Sequence, residues 1–323
     1  MFRELPLKEI GAAHYTAAGK RLLYAEWCEE RPVCAVCGPG AVSLLQSPVS
    51  LCEDTVVCRF KHCCSPFETV GWVFEKACVL HAFAPISTAV HTIHTLEFLP
   101  CSFAEETARA EACYRQAVAF LQSAAGLFRH TLQRALSYID EARMERYAAR
   151  LAARERGPKG RGAFHCFFSY LSSKTYHTDY AAITAICPRI YVIEDTALPV
   201  GHCLTEALAR CFSALGQTVI IGICPLTGCA EHLLLPDSGV AFTLSNHWHT
   251  VDFPVYQRIY TARFFKSAPS LHKSNLFYHG TDELLQECMR SLREAERYYT
   301  LCEAEAFRVL DKEAVMNAVR QKI

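Results

Sequence analysis

The chain has 323 residues, enough for about two domains, and its charge is balanced between 33 basic and 33 acidic side chains. A balanced charge creates no overall field that favours nucleic acid or an anionic membrane surface, so neither partner is predicted. No stretch reaches the roughly 20 apolar residues of a membrane span, and the N-terminal residues lack an apolar signal segment. The sequence therefore predicts a cytoplasmic protein.

The chain contains 18 cysteines, and many lie inside apolar runs where a thiol behaves as a small hydrophobe. Reduced, buried thiols are the interpretation that follows. Zinc is the alternative, because Cys34 and Cys37 have ligand spacing and His62-Cys63-Cys64 comes about 25 residues later. Against zinc, residues three apart on a strand point to opposite faces. No metal site is predicted.

The first recognisable pattern is RPVCAVCGPGAVSLLQ at residues 31–46, an apolar strand followed by a Gly-Pro-Gly turn and an apolar run. Residues 103–156 then carry apolar side chains every three or four positions, which predicts helix, with Gly126 as a candidate break. The basic, glycine-containing segment at residues 150–162 follows. It predicts a solvated linker between two domains.

The second pattern is PRIYVIEDTALPVGHC at residues 188–203, which again predicts a strand, a loop and a helix. Downstream segments match those of the first half, including strands that end at Cys63 and Cys224. Each half then contains a histidine in a similar local sequence, His91-Thr92-Ile93 and His249-Thr250-Val251. An internal duplication is the economical explanation.

The last predicted helix begins near Thr281 or Asp282, both of which are suitable N-cap residues. Its apolar stripe alternates spacings of three and four, which indicates a helical partner. That partner is either another helix of this chain or a second copy in a homodimer. The stripe comprises Leu285, Cys288, Leu292, Ala295, Tyr299, Cys302 and Ala306.

Taken together, the order and spacing of these segments resemble a bacterial family built from two tandem P-loop ATPase domains. The resemblance spans nearly the whole chain. It implies an α/β fold with two P-loop NTPase-like domains, residues 1–157 and 158–323, each with a mainly parallel sheet and added helices. The segments that carry it are HYTAAGKRLLY, CGPGAVSLL, HCCSPFETVGWVF, TAVH, FHCFFSYLSS, IYVIEDTALPVGHCL, ICPLTGCAEHLLLPDSGVAF, LREAERYYTLCEAEAF and VLDKEAVMNAVRQKI.

The resemblance implies ATP and Mg²⁺ as ligands, yet neither loop carries the expected Gly-Lys-Ser/Thr. In the second loop His202 replaces lysine and Cys203 offers a soft thiol where Mg²⁺ prefers hard oxygen. No Asp or Glu ends the neighbouring strands CVLHAF and VAFTLS, where a second metal ligand would lie. The positions that match the phosphate loop are Gly38, Gly40, Ser43, Thr196, Gly201, His202 and Cys203.

Because both loops lack the lysine, we expect a P-loop protein without ATP hydrolysis and without catalytic residues, acting as a scaffold or interaction module. One alternative is a working ATPase in which Gly201 and His202 bind phosphate while Glu194 and Asp195 hold Mg²⁺. A second alternative is thiol or metal chemistry that uses His62, Cys63 and Cys64, with Cys224 as a further candidate.

Overall fold

The computed structural model describes residues 9–17, 19–23, 25–28, 31–47, 55–62, 69–81, 90–100, 102–195, 199–267 and 274–322. Two large mixed sheets face each other, and helices cover their outer faces. Among the helices within these ranges, none has the length and apolar character needed to cross a membrane.

The first sheet has seven strands and two short helices associated with it. Its spatial order is β2-β1-β4-β5-β6-β3-β7. The elements are β1 (Glu9–Thr16), β2 (Gly19–Leu22), α1 (Ala25–Cys28), β3 (Val33–Cys37), α2 (Ala41–Leu44), β4 (Val56–His62), β5 (Thr69–Phe74), β6 (Cys78–His81) and β7 (Val90–His94).

Two helices then lead to the second half. Helix α3 (Ala104–Leu136) runs through Gly126 without interruption, contrary to the expected break. A single exposed glycine costs only about 1 kcal/mol, which the packing of a long helix offsets. The break comes later, where the Asp140 side chain accepts a hydrogen bond from Arg143 N and caps α4 (Glu141–Arg154).

The second sheet has six strands in the order β15-β11-β14-β13-β12-β8, and a hairpin of β9 and β10 lies beside it. The elements are β8 (Ala163–Cys166), β9 (Ser169–Leu171), β10 (Tyr176–Thr178), α5 (Tyr180–Ile186), β11 (Arg189–Glu194), α6 (Gly201–Ala214), β12 (Val219–Ile223), β13 (Ala230–Leu235), β14 (Val240–Ser245), β15 (Gln257–Tyr260), α7 (Ser274–Val309) and α8 (Lys312–Arg320).

The two sheets share one topology. From its β7 edge the first sheet has the order β7-β3-β6-β5-β4-β1, and from its β15 edge the second has β15-β11-β14-β13-β12-β8. Corresponding neighbours also run in the same relative direction. Among the described residues, six of the eleven pairs in these sheets are parallel, so the sheets are mixed rather than mainly parallel.

This correspondence separates the two histidines that have similar wording in the sequence. His91 lies in β7, whose counterpart is β15, whereas His249 lies in the loop between β14 and β15. The similar local sequences around His91 and His249 therefore do not occupy equivalent positions in the two sheets. The expected helix start at Thr281 or Asp282 is also wrong, because α7 begins at Ser274.

Alternation along β11, which lies next to the β15 edge of the second sheet, shows how the layers form. On β11, Ile190 and Val192 point into a core that both halves share, with Phe60 and Leu80 among its members from the first half. The intervening residues, exemplified by Tyr191, face the helices on the outer side. Each sheet therefore has an inner face buried against the other half.

The terminal helices of the two halves are exchanged. Helix α4 follows the first sheet in the chain but packs on the second, where Ala148 and Leu151 lie in the same core cluster as Tyr191. Helix α8 follows the second sheet but packs on the first, where Val315 and Val319 join Cys34. We call this arrangement the helix exchange.

Matching backbone contacts hold the helix exchange in place. Asp140 N donates to Phe264 O at 2.8 Å, and Asp311 N donates to Phe98 O at 3.3 Å. Both aspartates also cap the helix that follows them. The long helices α3 and α7 pack along each other.

Candidate functional site

The second loop lies at the carboxyl end of β11, where ligands bind in open parallel sheets. Its centre is Asp195, which is almost completely buried. Asp195 Oδ1 accepts from Val200 N at 3.2 Å and from Thr261 Oγ1 at 3.1 Å, and Oδ2 accepts from Gly201 N at 2.9 Å. The carboxylate therefore uses the N–H groups with which a phosphate loop would bind its anion.

His202 and Cys203 follow Gly201 in the first turn of α6. His202 is buried, its Nδ1 lies 2.9 Å from Ala230 O, and its ring packs edge-on against Phe128. Burial raises the pKa of the Cys203 thiol to about 12, so this group stays neutral near pH 7. Thr196 lies outside the described residues. Neither His202 nor Cys203 is placed to replace the missing lysine and hydroxyl.

Gly201 is required by close packing. A Cβ at this position would lie 2.6 Å from Leu244 Cδ1 and 3.1 Å from Asp195 Oδ2. The glycine therefore lets the start of α6 approach both β14 and the carboxylate. In a phosphate loop the same residue type admits an anion, but here the chain itself fills the space.

The first loop is closed by a carboxylate from a distant helix. Glu303 of α7 accepts from Ser43 N at 3.3 Å and from Ser43 Oγ at 3.1 Å through the same oxygen, Oε2. Gly40 has a left-handed φ of 83°, and a Cβ there would lie 3.3 Å from both Phe307 N and Leu310 Cδ2. The end of α7 thus lies directly against Gly40 and Ser43, while Gly38 begins the turn.

Burial raises the pKa of both carboxyl groups. For Asp195 the value is about 6, even though the N–H groups of Gly201 and Val200 favour the charged form. The pKa of Glu303 is also raised by burial against the opposing hydrogen bonds from Ser43. Above pH 6 the second loop therefore holds a negative charge at Asp195, beside the N–H groups of Val200 and Gly201.

Thr261 and Thr95 take corresponding positions beside the two loops. Thr261 Oγ1 lies 3.0 Å from the Glu194 carbonyl oxygen and 3.1 Å from Asp195 Oδ1, so its one proton is shared between two acceptors. Thr95 Oγ1 lies 3.1 Å from Cys37 O and 2.8 Å from Pro39 O. Each hydroxyl ties the residue after an edge strand, β7 or β15, to the carboxyl end of the neighbouring strand, β3 or β11.

Glu194 forms an ion pair with Arg258. Asp195 is occupied by the backbone and Thr261, so neither carboxylate is available to Mg²⁺ in this arrangement. Ser43, the other hydroxyl expected near a metal, binds Glu303. The described residues of the two loops therefore do not fit ATP with Mg²⁺.

No protein-family model, curated protein or solved structure matches this chain.

A buried polar cluster lies beside the second loop. Ser169 Oγ donates to Glu231 Oε2 at 2.7 Å and lies 3.0 Å from both His232 Nε2 and Thr178 Oγ1. His249 Nε2 lies 3.0 Å from Glu231 Oε1, and its Nδ1 lies 3.1 Å from Thr178 Oγ1. We call these five residues the Glu231 cluster.

The Glu231 carboxylate is stabilised by the two histidine rings beside it. Burial opposes ionisation of Glu231, but His249 and His232 outweigh it and hold its pKa well below the usual range. Burial lowers the pKa of His232 to about 4, which keeps that ring neutral near pH 7. The serine–histidine contact has the geometry of an activated nucleophile, but Ser169 is fully buried and donates to a carboxylate. A structural role follows for this contact.

Sequence reasoning identified Asp195 as a candidate metal ligand but missed the Glu231 cluster. The signal was a pair of ionisable residues, Glu231 and His232, inside the otherwise apolar strand AEHLLL. Ser169 and His249 carry no such signal, because 62 and 18 residues of chain separate them from Glu231 and only the fold brings them together.

The cysteines named as ligands are dispersed. Cys34 is buried in the core, whereas Cys37 Sγ lies 3.0 Å from His94 Nδ1 at the carboxyl end of β3. Burial, with a contribution from Glu97, raises the pKa of Cys37. Cys63 and Cys64 lie outside the described residues. Within the described ranges there is no group of three or more His, Cys, Asp or Glu residues suited to a metal, and the 14 described cysteines are all free.

The stripe on α7 is covered by this chain's own α3. Leu285, Cys288 and Leu292 share a core cluster with Leu121 and Ala124. A homodimer through α7 would therefore have to use the opposite face, on which Leu301 is 56% exposed.

Proposed function

We propose that this protein has a tandem P-loop-related fold, does not hydrolyse ATP, and works as a binding or scaffold protein. The observation that carries the proposal is the pair of internal carboxylates, Asp195 and Glu303, at the anion positions of the two loops. The shared topology of the two sheets supports an origin by internal duplication.

The size of the electrostatic repulsion from Asp195 favours exclusion of nucleotide phosphates from the second loop. Two like charges 4 Å apart repel by about 4 kcal/mol at the effective dielectric constant near a protein surface. A phosphate oxygen beside ionised Asp195 would meet repulsion of this order, and the N–H groups that normally offset it already donate to the carboxylate. A loss of about 4 kcal/mol corresponds to roughly a thousand-fold weaker binding.

The test is calorimetric titration of the full chain with ATP and ADP, each with and without Mg²⁺. We expect no binding heat at millimolar nucleotide and no phosphate release. Micromolar binding that depends on Mg²⁺ would overturn the proposal, because the loops would then possess a substitute for the missing lysine.

A pair of variants checks that the carboxylates are the cause. Asp195→Asn removes one loop charge, and Glu287→Gln removes an exposed charge on α7 that pairs only with Arg290 among the described residues. If the carboxylates exclude anions, only Asp195→Asn increases the affinity for inorganic pyrophosphate. If both variants have the same affinity for pyrophosphate, the shape of the loops and not the charge of Asp195 would be what excludes anions.

A further inference from the structure

A cavity of about 600 Å³ lies between the two halves of the protein, and no described residue of either loop lines it. Its size is within the range of small-molecule sites. The first half contributes Glu9 from β1 and Arg59 and Lys61 from β4. Residues 177–181, at the end of β10 and the start of α5, form the opposite wall together with Tyr170. We call this cavity the interhalf pocket.

Charges of both signs line the interhalf pocket. Glu9 forms ion pairs with Arg59 and with Lys61, the latter at 2.9 Å, and Lys61 Nζ lies 3.8 Å from Asp179 Oδ2. The Lys61 side chain is only 11% exposed, whereas Glu9 is 43% exposed. Burial opposes ionisation of Glu9, yet Lys61 and Arg59 lower its pKa, so the carboxylate is charged near pH 7.

Two polar atoms of the pocket lining are buried without a hydrogen bond to any described residue. They are Arg59 Nε and His177 Nδ1. A guanidinium Nε–H can only donate, so its natural partner is an acceptor such as a carboxylate oxygen. Buried polar atoms are nearly always hydrogen-bonded, so Arg59 and His177 each keep an unused hydrogen-bonding group beside the cavity.

Aromatic rings complete the wall. Tyr170 contacts the His177 ring, with centroids 5.3 Å apart, and Lys61 Nζ lies 5.8 Å from the Tyr170 centroid. Tyr180 also lines the cavity and packs against Phe253. These rings offer an apolar surface beside the charged groups.

We propose that the interhalf pocket binds a small zwitterion of the amino-acid class. Its carboxylate would accept from Arg59, its ammonium group would contact Glu9 and Asp179, and its side chain would lie against the tyrosine rings. A zwitterion would disrupt the ion pair between Glu9 and Arg59, but it would give each residue a new partner, since its ammonium group would pair with Glu9 and its carboxylate with Arg59. A simple anion would remove Arg59 from Glu9 and provide no cation in return.

A ligand in the interhalf pocket would lie next to a residue that contacts the buried Glu231 cluster. Thr178 lines the interhalf pocket and its hydroxyl contacts both Ser169 and His249 of the Glu231 cluster. The site also joins residues from both halves, so an occupant would link them. This inference rests on the proposed function, since it names what a binding protein of this fold would hold.

The test compares three molecules that share a phenyl ring but differ in charge. They are L-phenylalanine, 3-phenylpropionate without the ammonium group, and phenethylamine without the carboxylate. By calorimetry on the full chain we expect phenylalanine to bind at least 10-fold more tightly than either analogue. No binding of phenylalanine at 10 mM, or equal binding of 3-phenylpropionate, would overturn the proposal, the second result by indicating a plain anion site.

Variants assign the binding to the pocket. Arg59→Gln and Arg59→Lys should each weaken phenylalanine binding at least 10-fold, and the lysine variant keeps the charge opposite Glu9 if the glutamine variant fails to fold. Arg109→Gln is the matched control, because Arg109 is 58% exposed on α3 and pairs with Glu105. Undiminished binding in Arg59→Lys would place the phenylalanine elsewhere.

The two proposals fail in different ways. If neither phenylalanine nor ATP binds, the proposed amino-acid site is wrong, but the proposal that the protein does not hydrolyse ATP still stands. Mg²⁺-dependent ATP binding removes the proposed function whatever phenylalanine does.

Discussion

At the scale of single residues, the main feature is the Asp195 carboxylate, which accepts the hydrogen bonds from the backbone N–H groups of its own loop. The IYVIED pattern predicted an acidic group after a buried strand, and the structure places Asp195 there. What the sequence could not reveal is which partner that group takes. Capping of the loop and binding of Mg²⁺ both require an acid at this position, and only the directions of Val200 N, Gly201 N and Thr261 Oγ1 distinguish them.

Asp195 should make stability depend on pH in a defined window. Its folded pKa of about 6 exceeds the unfolded value near 3.9, so the folded state binds more protons between these values. The free energy of unfolding should therefore fall as pH rises from about 4 to about 6, by about 2 to 3 kcal/mol from this group.

Urea denaturation of the wild type and Asp195→Asn across pH 4 to 8 measures this contribution. The stability difference, wild type minus variant, should decrease through the window and stay constant between pH 7 and 8, which serves as the internal control. A difference that is constant from pH 4 to 8 would show that the carboxyl has an ordinary pKa.

At the scale of elements, the sequence predicted those with strong local patterns and missed those set by long-range packing. Strand β11 and helix α6 follow from apolar periodicity. The start of α7 was misplaced, because Asp282 suits an N-cap but instead contacts His247 and Trp248. Glu303 lies 260 residues from Ser43, so no local pattern could connect them.

The helix exchange yields a prediction about α8. Val315 is fully buried against the first sheet, whereas Val309, at the end of α7, is 39% exposed. We expect Val315→Ala to destabilise the protein by about 2 kcal/mol and Val309→Ala to have an effect within about 0.5 kcal/mol.

Hydrogen exchange measured by mass spectrometry locates the effect of Val315→Ala. Exchange should increase in β3 and β7 of the first half, because α8 packs there, and should change little in β11. Faster exchange confined to the second half would contradict the helix exchange.

At the scale of the whole molecule, the two halves predicted from the sequence, residues 1–157 and 158–323, have one topology but share a core. Phe60 and Leu80 of the first half lie in the same cluster as Val192 and Ile220 of the second. The sequence predicted two similar units from repeated wording. It gave no indication that their inner faces meet, since apolar alternation does not specify which surface will cover it.

We expect residues 1–157 produced alone to lack a cooperative unfolding transition, because α4 and the inner face of the first sheet would lose their partners. Co-expression with residues 158–323 should restore it in a one-to-one complex. Circular dichroism melting and size-exclusion chromatography measure both results. A cooperatively folded 1–157 monomer would contradict the shared core.

The helix exchange also determines what the covalent connection between the halves contributes. The segment that joins α4 to β8 includes Lys159 and Arg161, both exposed and both suited to cleavage by trypsin. After such a cut, α4 would remain attached to the first fragment while embedded in the second, and α8 the reverse. The nicked protein would stay in one piece under native conditions, and only a denaturing gel would reveal two chains.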